Sequence, residues 1–338
     1  MTIQQLLKTA PVTTLLLVSF ISLFVMQILT GVDANNPSTE ALIKWGANAL
    51  PFTMNDEPWR LVSSAFLHIG LMHLLFNGFA MYFFGQIAEP MFGSGKFLAL
   101  FLLSAIGGNL LNTQVTWLSI LDGTGQVGLS AGASGGIMGI GAALLIAAFF
   151  KISVNGLMLN LRSLLFIMGI NLVYGFAVPG IDNAGHIGGA ITGLIIALAF
   201  AIAYRQRMAG ITLTQQNTLV SQTPYRNNES SSHSDQDTYQ IRYIDESSNA
   251  DIDTDTDTDT DTSYSTNHDT SFNSRADINP DVNRHAPHNS IIAQTVPAKS
   301  SLIWRLLPWV VMLIISIGFV WWWQDIHLQL MQILKTIE

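Results

Sequence analysis

Ser134 and His186 are polar residues placed where a membrane span should have none. Ser134 opens an apolar run in Gly132-Ala133-Ser134-Gly135-Gly136, and His186 opens another in Asn183-Ala184-Gly185-His186-Ile187-Gly188-Gly189. An ionisable side chain inside a hydrophobic segment is costly and marks a functional site. A serine beside a histidine is the minimum for nucleophilic catalysis: the hydroxyl attacks and the imidazole takes its proton. Gly-x-Ser-x-Gly also occurs at the nucleophile elbow of α/β-hydrolases, but that turn needs a strand before it in a soluble sheet. Here Leu144-Leu145-Ile146 continues a membrane helix, which excludes the elbow. Gly132 and Gly136 form a GxxxG pair as well, so helix packing is the other reading of this stretch.

The glycines at 185, 188, 189 and 193 let another backbone approach closely, and the natural partner is the span carrying Ser134. A third segment, Phe66-Leu67-His68-Ile69-Gly70-Leu71-Met72-His73-Leu74-Leu75-Phe76-Asn77, adds two donors. His73 and Asn77 share one helical face. They suit either an interhelical hydrogen-bonding pair or the stabilisation of a developing oxyanion. His68 and His73, if both helical, point about 140° apart. With no Glu between them they do not form a zinc helix, so no metal site is expected. Cysteine is absent, which removes disulfides and thiolate ligands.

The elements that must position these residues are membrane spans. Of 338 residues, 49% are apolar and 11% charged, far from a soluble average. The pattern predicts seven spans, at roughly Pro11–Leu29, Ser64–Ile87, Phe97–Trp117, Ser134–Phe150, Leu161–Val178, Gly185–Tyr204 and Leu302–Trp323. The first is too long for a signal-peptide core and lacks a small-residue cleavage site, so it reads as a retained span. The loop from Gly31 to Ser63 holds Pro37, Pro51, Pro58, Trp45 and Trp59, which suits a segment lying at the interface.

Lys8, Lys96, Lys151, Arg162, Arg205, Arg207 and Arg305 fall on one side of the membrane, against Lys44, Arg60 and Lys335 on the other. The positive-inside rule then puts the N-terminus in the cytoplasm. With that orientation His73, Ser134 and His186 all lie ~24–27 Å above the inner ends of their spans, in the outer part of the hydrocarbon core. Three polar residues from separate spans therefore reach one depth, as a shared site requires.

From about Met208 to Ser300 the chain turns polar and acidic and carries most of the net charge of −8. Such a stretch is expected to be solvated and disordered, and its charge gives no reason to expect nucleic acid as a partner. The Asp-Thr alternation of 253–262 lacks the central Gly and final Glu of an EF-hand loop and reads as a self-repelling tether. The expected division is a six-span core over 1–207, an acidic cytoplasmic tether over 208–300, and a seventh span with a short tail over 301–338. Trp321-Trp322-Trp323 reads as an interfacial belt.

In order along the chain, His68-x4-His73-x3-Asn77, Gly132-Ala133-Ser134-Gly135 and Gly185-His186-x2-Gly189-x3-Gly193 resemble the rhomboid intramembrane serine proteases. Trp59-Arg60 before the second span and Glu89-x3-Gly93 after it match further family features, and the resemblance covers about Trp45 to Tyr204. It implies an all-α membrane protein, a six-helix rhomboid core here followed by one extra C-terminal transmembrane helix. It implies that Ser134 is the nucleophile and His186 the general base. The oxyanion hole would be His73, Asn77 and the Ser134 amide.

By the same resemblance His68, Trp59, Arg60, Glu89 and Gly93 support the first loop and the turn after span two. Gly189 allows the close packing of spans four and six, and Gly132, Gly135 and Gly193 are further structural support. Met138 stands where many members carry an aromatic residue on the catalytic histidine, and its flexible thioether can pack against an imidazole. No cofactor is implied. The partners are transmembrane protein substrates and the lipid bilayer, with lateral entry between spans two and five. Without a transit peptide, the membrane expected is a bacterial inner membrane. The competing expectation is a non-catalytic rhomboid-like binder or escort of transmembrane helices. A transporter would need charged residues deep in several spans, and few are present.

Overall fold

A backbone in hydrocarbon must satisfy its own hydrogen bonds, so the apolar runs can only become helices. The computed structural model describes residues 3–125, 128–152, 159–166, 168–169, 181–221 and 302–337. Helix α1 (Ile3–Thr9) leads into α2 (Pro11–Leu29). A long connection then holds α3 (Thr39–Trp45), strand β1 (Asn48–Ala49), α4 (Leu50–Thr53), α5 (Arg60–Ser63) and a 3-10 turn (Ser64–Phe66). Helices α6 (Leu71–Phe92) and α7 (Ser94–Leu121), strand β2 (Leu129–Ser130), α8 (Ser134–Phe149), α9 (Asn183–Ser221) and α10 (Leu302–Ile337) follow. Strands β1 and β2 pair antiparallel, Asn48 opposite Ser130.

Among the described residues, five helices are long and apolar enough to cross a membrane: α2, α6, α7, α9 over Asn183–Gly210 and α10 over Leu302–Thr336. Helix α8, with 16 residues, is about 24 Å long, shorter than a hydrocarbon core. Of the expected span Leu161–Val178, residues 161–166 are helical and most of the remainder lies outside the described residues, as does 222–301.

Several boundaries differ from the sequence expectation, among them the end of the last span, where α10 runs to Ile337 rather than stopping at Trp323. The second span starts at Leu71 rather than Ser64, because Gly70 takes φ +98°, a left-handed conformation that breaks the run. The sixth helix runs on to Ser221, past the onset of polarity at Met208.

Helix α2 has Pro11 in its first turn, but its N-cap is Ala10, which has no side chain to offer. The buried Glu89 of α6 supplies the missing acceptor. Its Oε1 accepts from Val12 N at 2.9 Å and its Oε2 from Thr13 N at 2.7 Å. A carboxylate there answers both the orphan amides and the positive end of the helix dipole.

Phe20, Met81, Phe97, Phe101, Ile140, Leu144 and Ile196 form the fully buried centre. Leu15, Ile21, Phe79 and Ile314 face outward, an apolar surface suited to lipid rather than water.

Helix α10 packs on α7 and α9. Trp322 Nε1 donates to Gln114 Oε1 at 2.8 Å, Trp323 Nε1 to Thr53 O at 2.8 Å, and Trp117 Nε1 of α7 to Gln329 Oε1 at 2.9 Å. The expected interfacial belt is therefore reduced to the exposed Trp321, since an indole N–H that finds a protein acceptor no longer needs the headgroup layer. Ile326 is fully buried in a second cluster with Leu50, Met54, Leu61, Leu110 and Trp117, so α10 shares a core with the first loop.

Candidate active site

Ser134 is the first residue of α8, His73 the third of α6 and His186 the fourth of α9. Three helix N-termini thus carry the three polar groups. Just before α8, Gly132 takes φ +146° and donates its N–H to Ser64 O at 2.9 Å. A β-carbon at Gly132 would stand 2.6 Å from His73 Cε1 and 3.7 Å from Asn77 Nδ2, so both α6 side chains lie against the backbone leading into Ser134.

His73 Nδ1 accepts from Ile69 N at 3.3 Å. A neutral imidazole that accepts at Nδ1 carries its proton on Nε2, and a β-carbon at Gly132 would stand 2.9 Å from that Nε2. Asn77 is buried and its Nδ2 has no hydrogen-bond partner. An unpaired buried donor costs about 1–3 kcal/mol and is the kind of exception that asks for a functional reason.

Helices α8 and α9 meet backbone to backbone. A β-carbon on Gly189 would overlap the Gly135 carbonyl, and one on Gly193 the Gly139 carbonyl. A β-carbon on Gly135 would lie 3.3 Å from Gly185 O, so the residues next to Ser134 and next to His186 touch. On its other side α9 meets α7, where Gly188 lies against the Gly107 carbonyl. His186 is half-buried, and its Nδ1 is buried without a partner. No hydrogen bond among the described residues joins the Ser134 and His186 side chains. Met138 is buried in the main core, one turn below Ser134.

His68 is not on α6, so the helical angle expected between it and His73 does not apply. Its ring lies edge-on to His73 at 5.4 Å and beside Phe20 at 5.2 Å. Burial first, and then the neighbouring His73, push it down to about 3, which keeps it neutral. Arg60 is buried and donates through Nη1 to Ile43 O at 2.6 Å and Ala47 O at 3.1 Å. It also pairs with Glu57 and lies 4.8 Å from the centre of the Trp59 ring. That ring covers Gly46, at the end of α3. Glu89 also accepts from Ser94 Oγ at 2.6 Å and so spans the turn at Gly93.

Sequence reasoning missed a polar network behind the site. Asp182, in the loop just before α9, caps that helix, Oδ1 accepting from Gly185 N at 2.7 Å and from Asn112 Nδ2 at 2.8 Å. Asn109 Nδ2 donates to Leu61 O and Ser64 Oγ, both at 2.8 Å. The signals were present: an Asp just before a small-residue apolar run is an N-cap, and Asn109 and Asn112 are polar residues inside a span. Among the described residues no three His, Asp or Glu side chains gather where they could hold a metal ion.

A family model described as Rhomboid domain matches residues 55–203. The chain is 37% identical over 186 residues to Rhomboid protease GluP of Bacillus subtilis, covering 54% of this chain and 34% of that protein. It is 32% identical over 190 residues to Rhomboid protease AarA of Providencia stuartii, covering 51% and 67%. To RHOMBOID-like protein 6, mitochondrial, of Arabidopsis thaliana it is 33% identical over 162 residues, covering 47% and 50%. The match thus spans about a third of the first relative and half of the third.

Proposed function

The chain belongs to the rhomboid family and is an integral multi-pass membrane protein, and from that premise we propose that it is a serine endopeptidase that cuts transmembrane segments of other membrane proteins. The observation that carries this reading is the meeting of Gly132 with His73 and Asn77 immediately before Ser134, with Asn77 Nδ2 left unpaired. Helix α8 is too short to cross the bilayer, so its first residue stays below the surface if its other end reaches the opposite interface. A nucleophile there meets a peptide bond inside a substrate's span.

In the reaction His186 removes the Ser134 proton and the alkoxide attacks the substrate carbonyl. Asn77 Nδ2–H, His73 Nε2–H and the Ser134 amide donate to the oxyanion, whose charge develops in the transition state. His186 returns the proton to the leaving amine. Water then attacks the acyl-enzyme, and Ser134 regains its proton. The serine–histidine hydrogen bond is absent here, and such bonds commonly tighten only when substrate is bound. The substrate helix has to unwind to present its carbonyl, so Gly or Pro near the cut, which cost about 1 and 3 kcal/mol in a helix, favours cleavage. The N-terminus lies in the cytoplasm, the site opens to the outer side, and the membrane is a bacterial inner membrane. Lys96 of α7, Arg205 and Arg207 of α9 and Arg305 of α10, at the ends away from Ser134, support that orientation.

The test is labelling of the detergent-purified protein with a fluorophosphonate, followed by mapping of the modified peptide. The expected adduct sits on Ser134 and is lost in His186→Ala. A protein that takes no label, or takes it on another serine, is not the enzyme proposed.

A further inference from the structure

At the end of the bundle away from Ser134, α6, α7, α9 and α10 border a cleft of about 520 Å³. Three cations line it, Lys96 from α7, Arg207 from α9 and Arg305 from α10, together with Tyr204, Trp304 and Trp309. Arg207 and Arg305 both act electrostatically on Lys96, so three like charges are gathered in one place. Like charges held together are unfavourable unless an anion lies among them. No carboxylate answers them: among the described residues the one ion pair is Arg60 with Glu57. The nearest acid in sequence, Glu89, is taken by Val12, Thr13 and Ser94.

The depth of the cleft says which anion is at hand. The helical rise from His186 to Arg207 is about 31 Å, the thickness of a hydrocarbon core. The cleft therefore lies at the membrane–water boundary opposite the one nearest His186, where lipid phosphates stand and where Trp and Tyr collect. Guanidinium forks match phosphate oxygens in pairs, whereas an ammonium acts as a point charge. Apolar surface from Leu302, Leu306 and Phe92 continues the cleft and can accept acyl chains.

We propose that this cleft is a binding site for an anionic phospholipid, its phosphate held by Arg207 and Arg305 with Lys96 beside them, and its glycerol and upper acyl region against Trp304 and Trp309. Basic pockets between transmembrane helices are suited to such headgroups. The site does not depend on the protease reading, because it lies a bilayer away from Ser134 and its occupancy can be read without substrate.

The test is native mass spectrometry of the full-length protein, delipidated in detergent. Phosphatidylglycerol, phosphatidylcholine of the same acyl chains, or glycerol phosphate is then added. One phosphatidylglycerol is expected to be retained at least tenfold more tightly than phosphatidylcholine. Arg207→Gln combined with Arg305→Gln should abolish that preference, while Lys44→Gln, at the other end of the molecule, should leave it intact. Lys96→Gln is a milder change and should weaken retention severalfold, so the test survives if the double variant does not fold. Equal retention of the two lipids, or unchanged retention in the cleft variants, overturns the proposal. Displacement of the lipid by equimolar glycerol phosphate also overturns it, since the site would then read a soluble anion.

Discussion

Ser130 donates its hydroxyl proton to Asp182 Oδ2 at 2.6 Å, which joins the strand just before Ser134 to the residue that caps the helix of His186. Asn112 holds the other oxygen of the same carboxylate at 2.8 Å. Ser64, bound by Asn109, accepts from Gly132 N at 2.9 Å. The entry to α8 and the entry to α9 are thus fixed to each other through α7 and the first loop. The relative position of Ser134 and His186 follows from the polar groups of Ser64, Asn109, Asn112, Ser130 and Asp182.

Asp182→Ala removes the cap of α9 and strands the Ser130 and Asn112 donors. A lost cap costs about 1 kcal/mol, and unpaired buried donors add about 1–2 kcal/mol. The variant should unfold earlier in detergent by about 2–3 kcal/mol, and Ser130→Ala by about 1 kcal/mol. Wild-type stability in Asp182→Ala would show that the cap and its two partners do not hold α9.

Gly189→Ala should be far more harmful than its size suggests. The added methyl meets the Gly135 backbone, which cannot move aside as a side chain could. Overpacking of this kind costs about 1–3 kcal/mol and displaces α8 from α9. Gly318→Ala on α10 meets nothing within 4 Å and should be neutral or stabilising by up to ~1 kcal/mol. Thermal unfolding of the two variants side by side checks the contrast, and equal midpoints would contradict it.

The approach of α8 to α9 was legible from the side of α9, in the glycines at 185, 188, 189 and 193. On α8 it was not: the GxxxG pair Gly132 and Gly136 faces His73 and Phe101, and the glycines that α9 meets are Gly135 and Gly139. Polar residues such as Ser134 and His186 stand out because in an apolar run every polar group is conspicuous. The start of α6 was not legible, since the turn at Gly70 lies within a hydrophobic stretch and hydropathy does not register a backbone dihedral. The role of Asp182 was not legible either, because its partners Ser130 and Asn112 are distant in sequence. The role of Trp322 and Trp323 was beyond the sequence altogether. An indole N–H at a membrane interface and one bonded to Gln114 or Thr53 look the same until the fold brings the acceptor near.

Trp323→Phe tests the docking of α10. It keeps the ring but removes the donor to Thr53 O, leaving His327 Nδ1, 2.6 Å from Met54 O, as the neighbouring tie. The loss should be about 1 kcal/mol and should expose the 50–54 segment to limited proteolysis. An unchanged cleavage pattern and midpoint would mean that the first loop is held without α10.

His68 gives the fold an acid sensitivity. Its folded value is pushed from 6.5 down to about 3 by burial, so the unfolded chain takes up this proton first. The stability it contributes is complete above pH 6.5 and is lost as the pH falls from there toward 3. His68→Asn removes the titrating group, and its thermal midpoint should fall less steeply between pH 6.5 and 4 than that of the wild type. Parallel curves would assign the acid loss to other groups.

The most direct test of the central claim is cleavage of a model transmembrane substrate in liposomes by the wild type, Ser134→Ala and His186→Ala. The expected result is cleavage by the wild type alone, within the substrate's span and near the outer leaflet. Cleavage that persists in either variant, or none by a wild type that is folded and correctly inserted, would contradict a Ser134–His186 protease.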